Sequence, residues 1–333
     1  MKRGHSDHGD EQLPKRRVHV VAAAIYNGDE RVFLSRRPSY VDQGGLWEFP
    51  GGKLHPHETG LEALKRELNE ELGIHVKRAQ PLIRVHHEYT DKHILLDVWG
   101  VRDFEGEPYG REGQVVRWVP VAELGRYNFP AANLPIIKAV ALPHAYMITA
   151  DQADETRFET DLAAALERHR PKLVRLRDTA LDAEAYAARA ERAVDICRRA
   201  GAQLMLGHRG SDVEAMVALV ERLDAGGLHL GSDQLGVLER RPLEGSRWLG
   251  ASVHDAAGLA QAERLDCDFA VLSPVRATGS HPDAQPLGWH GLQQMIEHVR
   301  LPVFALGGLG LEDIDHARGV GAQGVAAISA FER

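Results

Sequence analysis

The sequence predicts an α/β chain in two units: an α/β/α sandwich built on a mixed sheet, then a closed (β/α)8 TIM barrel. Three observations predict it. The length, 333 residues, suits two domains. Residues 18–141 hold many strand-like runs and few helical ones, as a mixed-sheet sandwich requires. From residue 145 onward, eight apolar strand-like runs alternate with helical patterns, the plan of a barrel.

Composition narrows the classes. A net charge of −8 argues against a general nucleic-acid coat, so direct DNA binding is not expected. No apolar run reaches the length of a membrane span, so no membrane partner is expected. The cysteines are Cys197 and Cys267, both in apolar or helical settings, which points to a reduced, cytoplasmic chain. Residues 1–17 are polar and basic without an apolar segment. They read as a disordered tail rather than a signal peptide, with His5 and His8 as solvated side chains.

In the first unit, 18–141, residues 18–24 form a buried strand, Asn27-Gly28 a turn and 31–35 the return strand. Residues 46–50 lead into a glycine loop, and a helix follows. Strands 82–88 and 93–101 flank a turn at Thr90-Asp91. A further strand covers 115–119, a short helix starts at 121–124 and a closing helix spans 134–141.

The helix after the glycine loop is where chemistry concentrates. Glu67, Glu70 and Glu71 stand at i, i+3 and i+4, hence on one face. Three carboxylates on one face repel each other and are best tolerated around a cation. Oxygen donors at this spacing suit a hard divalent ion, Mg²⁺ or Mn²⁺. Leu61, Leu64, Leu68 and Leu72 form the opposite, apolar stripe, and Gly73 ends the helix. Pro50-Gly51-Gly52 is a loop where backbone can approach a ligand closely.

Gly52, Glu58, Arg66-Glu67-Leu68, Glu70-Glu71 and Gly73-Ile74, at these spacings, resemble the complete Nudix box. Glu48-Phe49-Pro50-Gly51-Gly52-Lys53, Glu105-Gly106-Glu107-Pro108 with Gly110-Arg111-Glu112-Gly113-Gln114, and Phe129-Pro130-Ala131-Ala132-Asn133 resemble the MutT subgroup. The resemblance covers about residues 18–140. It implies a Mg²⁺-dependent pyrophosphohydrolase of nucleoside triphosphates that turns 8-oxo-dGTP into 8-oxo-dGMP and pyrophosphate, cleansing the nucleotide pool. By position it implies Glu70 and Glu71 as principal metal ligands, Glu67 as ligand or base, the Gly51 carbonyl as a further ligand and Glu112 as an extra carboxylate. Gly52, Glu58 and Arg66 would brace the loop against the helix. Asn133 would read the purine edge, Phe49 line the base pocket and Arg37 contact the nucleotide. Each has a plainer alternative: Phe49 as core, Asn133 as a helix N-cap, Glu112 as a solvated loop residue, Arg37 in a salt bridge. Tyr89 and Lys92 stand where the best-known relatives have Phe and Arg, and a lysine does not reproduce a planar guanidinium contact.

After the candidate linker Leu142-Pro143-His144, the second unit, 145–333, begins. Its strands are expected at 145–149, 173–177, 203–206, 227–230, 248–252, 269–272, 303–306 and 324–328. Helices are expected at 155–168, 182–200, 212–223, 255–265, 289–298 and 311–319, with an abbreviated one after Gly231. A flavodoxin-like sheet is the alternative, but eight strands favour closure. Chemistry in such barrels sits at the C-terminal strand ends. There Gly307-Gly308, after the seventh strand, and Ser329, after the eighth, are arranged as a phosphate site, with a tight turn as the alternative for the glycine pair.

Leu176-Arg177-Asp178, Gly227-Leu228-His229-Leu230-Gly231, Gly250-Ala251-Ser252-Val253-His254, Ser273-Pro274-Val275 and 302–308 resemble thiamine-phosphate synthase and the TenI group. The resemblance implies a phosphorylated thiamine precursor as ligand. Key positions depart from the synthase pattern. Gly207-His208 stand where synthases place Asn-Asp, Gln234 where they place an aspartate, and Thr179, Gly279 and His281 where they place lysines. Loss of metal carboxylates and lysines together predicts a barrel without synthase activity. His208, His254 and His281 then belong to a degenerate phosphate site or to a different chemistry. Two further readings stay open: a bifunctional protein with synthase activity, and a barrel that senses a thiamine precursor.

Overall fold

Alternation along the first strand sorts its side chains into two layers. In β1 (Arg16–Ile25), Val21, Ala23 and Ile25 pack with Leu64, Leu68 and Leu72 of the box helix, while Ala22 and Ala24 pack with Ile136 and Val140 of the closing helix. A strand buried on both faces belongs inside a sandwich. The computed structural model describes residues 16–209, 211–244, 247–278 and 284–332. His5, His8, Gly279 and His281 lie outside the described residues.

The remaining elements of this unit are β2 (Arg31–Arg36), β3 (Trp47–Glu48), α1 (Gly60–Leu72), β4 (His75–Glu88), β5 (Lys92–Glu105), β6 (Val116–Pro120) and α2 (Leu134–Ala141). They form two three-stranded sheets, β1-β5-β4 and β3-β2-β6. The first sheet is mixed: β5 runs parallel to β1 and antiparallel to β4. Two expectations need correction. Strand β2 is not the return partner of β1. A Tyr26–Val32 bridge joins them at the turn, while β1 lies against β5 along its whole length on one edge, from Arg16↔Lys92 to Ile25↔Val101, and meets the glycine loop on the other through the Val20–Lys53 bridge. Arg16 and Arg17, assigned to the tail, are in that ladder for the same reason.

Helix α1 forms where its local signals agree. The Thr59 hydroxyl accepts from the Glu62 N–H while the Glu62 carboxylate accepts from the Thr59 N–H, a complete capping box. Gly73 ends the helix at φ 72, a left-handed conformation that glycine adopts without strain. Leu64, Leu68 and Leu72 are fully buried, each burial worth about 1.5–3 kcal/mol. The short helix expected from 121 is a 3-10 turn, Val121–Arg126.

The second unit is a closed barrel of parallel strands: β7 (Ala145–Ile148), β8 (Leu173–Leu176), β9 (Gln203–Leu206), β10 (Gly227–Leu230), β11 (Trp248–Val253), β12 (Phe269–Leu272), β13 (Val303–Ala305) and β14 (Gly324–Ala327). Pairing of Val325 with Ala145 closes the ring, which sets the flavodoxin-like alternative aside. Around it lie α3 (Glu155–His169), α4 (Ala183–Arg199), α5 (Val213–Arg222), α6 (Ser232–Val237), α7 (Ala256–Arg264), α8 (Gly288–Ile296) and α9 (Ile314–Gly319). Helix α6 is the abbreviated one, at 6 residues. Tyr146, Met205, Phe269, Val271 and Phe304 fill the interior, so the barrel is packed rather than hollow.

The stretch expected as a linker is pinned. The buried Gln323 amide donates to the carbonyls of Ala139, Leu142 and Pro143 at 3.0, 3.1 and 3.3 Å. Lys138 reaches across to Asp266 at 2.7 Å and Asp268 at 3.2 Å. Cys197 and Cys267 are buried free thiols. Among the described residues no helix is long and apolar enough to cross a membrane.

Candidate active site

The glycine loop lies flat between β1 and α1. Val21 N–H donates to the Gly52 carbonyl at 2.9 Å and Ala23 N–H to the Pro50 carbonyl at 2.8 Å. A Cβ on Gly51 would sit 2.1 Å from the Val21 carbonyl oxygen, and one on Gly52 would sit 2.3 Å from the Glu67 carboxyl carbon. Gly51, facing backbone at φ 149, therefore requires glycine, while a side chain at Gly52 would push the Glu67 carboxylate aside. The Gly51 N–H donates to Glu71 Oε2 at 3.2 Å, tying loop to helix.

Arg66 organises the acidic face. Its Nε and Nη2 hold Glu58 Oε1 and Oε2 at 2.7 and 3.0 Å, and Nη2 also donates to the Lys53 carbonyl at 3.1 Å. Its Nη1 donates to Glu67 at 2.8 Å and Glu70 at 3.2 Å. The hydrogen bonds from Arg66, followed by that from the His55 N–H, draw the Glu58 carboxyl down to about 2. Glu71 behaves oppositely. Burial, then the negative charges of Glu67, Glu48 and Glu112, push it up to about 8.

Glu112 is exposed in a loop docked on the end of α1. The Arg111 N–H donates to the Glu71 carbonyl at 2.9 Å, Arg111 Nη1 to the Asn69 carbonyl at 2.8 Å, and Gln114 Nε2 to the Glu71 carbonyl at 3.2 Å. Gln114 Oε1 accepts from the Glu112 N–H at 2.9 Å. The structure thus brings Gly51, Glu67, Glu70, Glu71 and Glu112 to one region. Among the described residues no three acidic, His or Cys side chains are drawn close enough to enclose a metal ion. Glu67 and Glu70 turn to Arg66 instead. The donor set nonetheless fits a hard divalent cation: it consists of carboxylate and carbonyl oxygens, and the half-buried Glu71 has no ion pair with a cation among the described residues.

The residues expected at the nucleotide are spread around this region. Phe49 is buried and stacks on Phe129, centroids 5.7 Å apart at 20°. Asn133 is buried and stands at the N-cap position of α2, but its side chain makes no capping bond there. Arg37 Nη1 is bound to Glu48 Oε2 at 2.5 Å and its Nε to the Asp42 carbonyl at 3.0 Å, an ion pair rather than an open guanidinium. Lys92 pairs with Asp42 at 3.0 Å and lies 5.4 Å from the Tyr89 ring centre. Sequence reasoning assigned no role to Glu48, Arg111 or Gln114. The MutT-like stretches that contain them were the only available signal.

At the barrel mouth, Gly307 and Gly308 have φ 107 and 64, and a Cβ on Gly308 would sit 2.5 Å from the Ala277 carbonyl oxygen. The pair makes a tight turn packed on the loop after β12. Ser329 is exposed beyond the end of the neighbouring strand β14. His208 is buried, bound to Ser211 Oγ at 3.0 Å and the Leu181 carbonyl at 2.9 Å. Gln234 Nε2 donates to the carbonyls of His208 and Ser211, and its Oε1 accepts from the Gly231 N–H.

Comparison with known proteins follows the two units. A family model described as thiamine monophosphate synthase matches residues 145–331, and one described as NUDIX domain matches residues 21–139. The chain is 36% identical over 122 residues to the 8-oxo-dGTP diphosphatase of Escherichia coli K12, covering 37% of this chain and 95% of that protein. It is 39% identical over 119 residues to the CTP pyrophosphohydrolase of the same organism, 36% of this chain and 88% of the relative. It is 36% identical over 137 residues to the thiamine-phosphate synthase of Chloroflexus aurantiacus, 41% of this chain but 60% of that protein's length. A solved MutT NUDIX hydrolase from Burkholderia pseudomallei is 28% identical, covering 38% of this chain and 100% of its own, at TM-score 0.36. The chain belongs to the Nudix family of MutT-like hydrolases through its N-terminal part and to the thiamine monophosphate synthase family through its barrel.

Proposed function

We propose that the chain is a divalent-metal-dependent nucleoside triphosphate pyrophosphohydrolase, with 8-oxo-dGTP as substrate and 8-oxo-dGMP and pyrophosphate as products. It works in a reduced, cytoplasmic setting. The proposal divides the chain into a hydrolase domain, 18–141, and a barrel domain, 145–333. The observation that carries it is the braced carboxylate cluster: Glu67, Glu70 and Glu71 on one helix face, Glu112 docked against that helix, and Arg66 locked to Glu58 behind them.

Glu67, Glu70, Glu71, Glu112 and the Gly51 carbonyl would hold Mg²⁺, or Mn²⁺ in its place. The bound ion supplies charge neutralisation on the phosphates and lowers the pKa of water. The protein's own groups do the rest. Arg66 and Glu58 fix the angle between loop and helix. The Gly51 N–H fixes one oxygen of Glu71. One carboxylate of the cluster takes the proton of the attacking water, whose oxygen joins a phosphorus as the anhydride breaks. Phe49 would line the base pocket through its stack with the half-buried Phe129, and the Asn133 amide would supply both donor and acceptor to the purine edge. Arg37, paired with Glu48 in the free protein, would contact the nucleotide. Pyrophosphate release from deoxynucleoside triphosphates with Mg²⁺ tests this; release by the parent and none by Glu70→Gln is the expected outcome.

The barrel is proposed to bind a phosphorylated thiamine precursor at Gly307, Gly308 and Ser329 without making thiamine phosphate. Supporting this, His208 and Gln234, which stand at synthase acid positions, bring no carboxylate and are engaged with protein atoms. Failure of the full chain to rescue a thiamine-requiring strain, with calorimetric binding of thiamine phosphate, is the expected pair of results.

A further inference from the structure

The junction between sandwich and barrel is not fully packed. It encloses a cavity of about 280 Å³ lined by Tyr26, Arg78, Gln80, Arg102, His144 and Arg318, with residues of both units in its wall. On β4, Arg78 and Gln80 are two positions apart across a β-bulge, and on β5 Gly100 pairs with Gln80 two positions before Arg102. Bulges re-aim side chains, and here three guanidiniums from separate elements meet. Two acids stand near. Asp103 is in the lining, and Asp315 accepts from Gln80 Nε2 at 3.4 Å, so cations are in excess.

Arg318 lies deepest. It is 8% exposed, its Nη1 donates to Gln80 Oε1, and its buried Nε has no hydrogen-bond partner. A buried guanidinium with an unanswered donor is costly unless an anion answers it. Arg102 stacks 3.9 Å above the Tyr26 ring and, with Arg78, stands exposed at the mouth. His144 is anchored by Nδ1 to the Gln323 carbonyl at 3.0 Å, which makes Nδ1 the protonated nitrogen and the ring a rigid wall. Burial, then Arg318, pushes its pKa down to about 4, so it adds no charge at neutral pH.

We propose that this junction is a binding site for a small inorganic phosphate anion, orthophosphate or pyrophosphate, gripped by Arg78, Arg102 and Arg318. Guanidinium forks match the paired oxygens of phosphate and carboxylate alike, but three of them suit a multiply charged phosphate with three or more free oxygens better than a singly charged carboxylate or a halide. A phosphate anion fits this half-open volume of about 280 Å³, which lies at the lower end of the roughly 300–1,000 Å³ of pockets for organic ligands. Because both units form the wall, an anion there would also stiffen their junction.

The test is calorimetry on the full chain in EDTA, which silences metal-dependent binding at the carboxylate cluster and so separates this site from the proposed hydrolase site. The parent is expected to bind inorganic pyrophosphate or orthophosphate with Kd between about 10 μM and 1 mM at a site told apart from the barrel position at Gly307, Gly308 and Ser329 by its loss in the variant below. The Arg78→Gln/Arg102→Gln double variant, altered only at the exposed mouth, is expected to melt like the parent without ligand and to bind at least about tenfold more weakly. Tighter binding of pyrophosphate assigns the site to two phosphate groups, and equal binding assigns it to one; both support the proposal. No binding to either anion at about 10 mM, unchanged binding in the double variant, or equal binding of acetate would overturn it.

Discussion

The guanidinium of Arg66 holds both carboxylate oxygens of Glu58, at 2.7 and 3.0 Å, and so locks the loop that follows the glycines to the helix that carries the acids. A lysine presents a point charge and cannot hold two oxygens in one plane. Arg66→Lys is expected to lower kcat/KM about 10–100-fold, or about 1.4–2.8 kcal/mol of transition-state stabilisation. Steady-state kinetics beside a thermal melt check it: unchanged kinetics would deny Arg66 its bracing role.

Gly52 tests close approach. An alanine methyl would sit 2.3 Å from the Glu67 carboxyl carbon and must displace it. Gly52→Ala is expected to lose about 100-fold or more in kcat, since a displacement near 1 Å can cost that much. Circular dichroism should show the fold intact. Full activity would mean that Glu67 is free to move without consequence.

Glu71→Gln separates function from stability. The neutral amide keeps the shape and the bond from the Gly51 N–H, and it removes a charge that burial and neighbouring acids disfavour. Activity should disappear, while the melting temperature in EDTA at neutral to mildly basic pH rises above the parent's, as at many functional sites that carry strain. A lower melting temperature would contradict the electrostatic account of the cluster.

His144 gives a pH dependence whose sign follows from its pKa. The fold holds it down to about 4, below the ordinary 6.5, so the folded state favours the neutral ring. Its contribution is complete above about pH 6.5 and is lost as pH falls towards 4, where the unfolded chain takes up a proton the folded chain refuses. The loss is at most about 3 kcal/mol. His144→Asn keeps a donor for the Gln323 carbonyl and removes the titration. Melting curves between these pH values should fall more steeply for the parent than for the variant, and parallel curves would refute the assignment.

Much of this was legible in the sequence where local physics decides. Barrel strands buried on both sides read as short apolar runs, and β9, β10 and β12 fall on the expected residues. Their helices begin after Asp154, Asp182, Asp212 and Asp255, whose side chains cap them. The box helix announced itself through Gly73 and its leucine stripe. Long-range pairing was not legible. Nothing near Asn27 reveals that β1 takes β5 rather than β2, because that choice depends on a partner some seventy positions away. Nor could spacing show that Arg37 is spent on Glu48. The cationic cavity draws on Arg78, Arg102 and Arg318, and only the docking of the barrel brings these together.

The most direct test of the central claim is a steady-state comparison of 8-oxo-dGTP, dGTP and thiamine pyrophosphate with Mg²⁺, using Glu70→Gln as the control. The account predicts a kcat/KM for 8-oxo-dGTP well above the other two, at least about tenfold or about 1.4 kcal/mol, and its loss in the control. Preference for thiamine pyrophosphate, or equal rates on all three, would contradict it and make the barrel the better guide to the substrate.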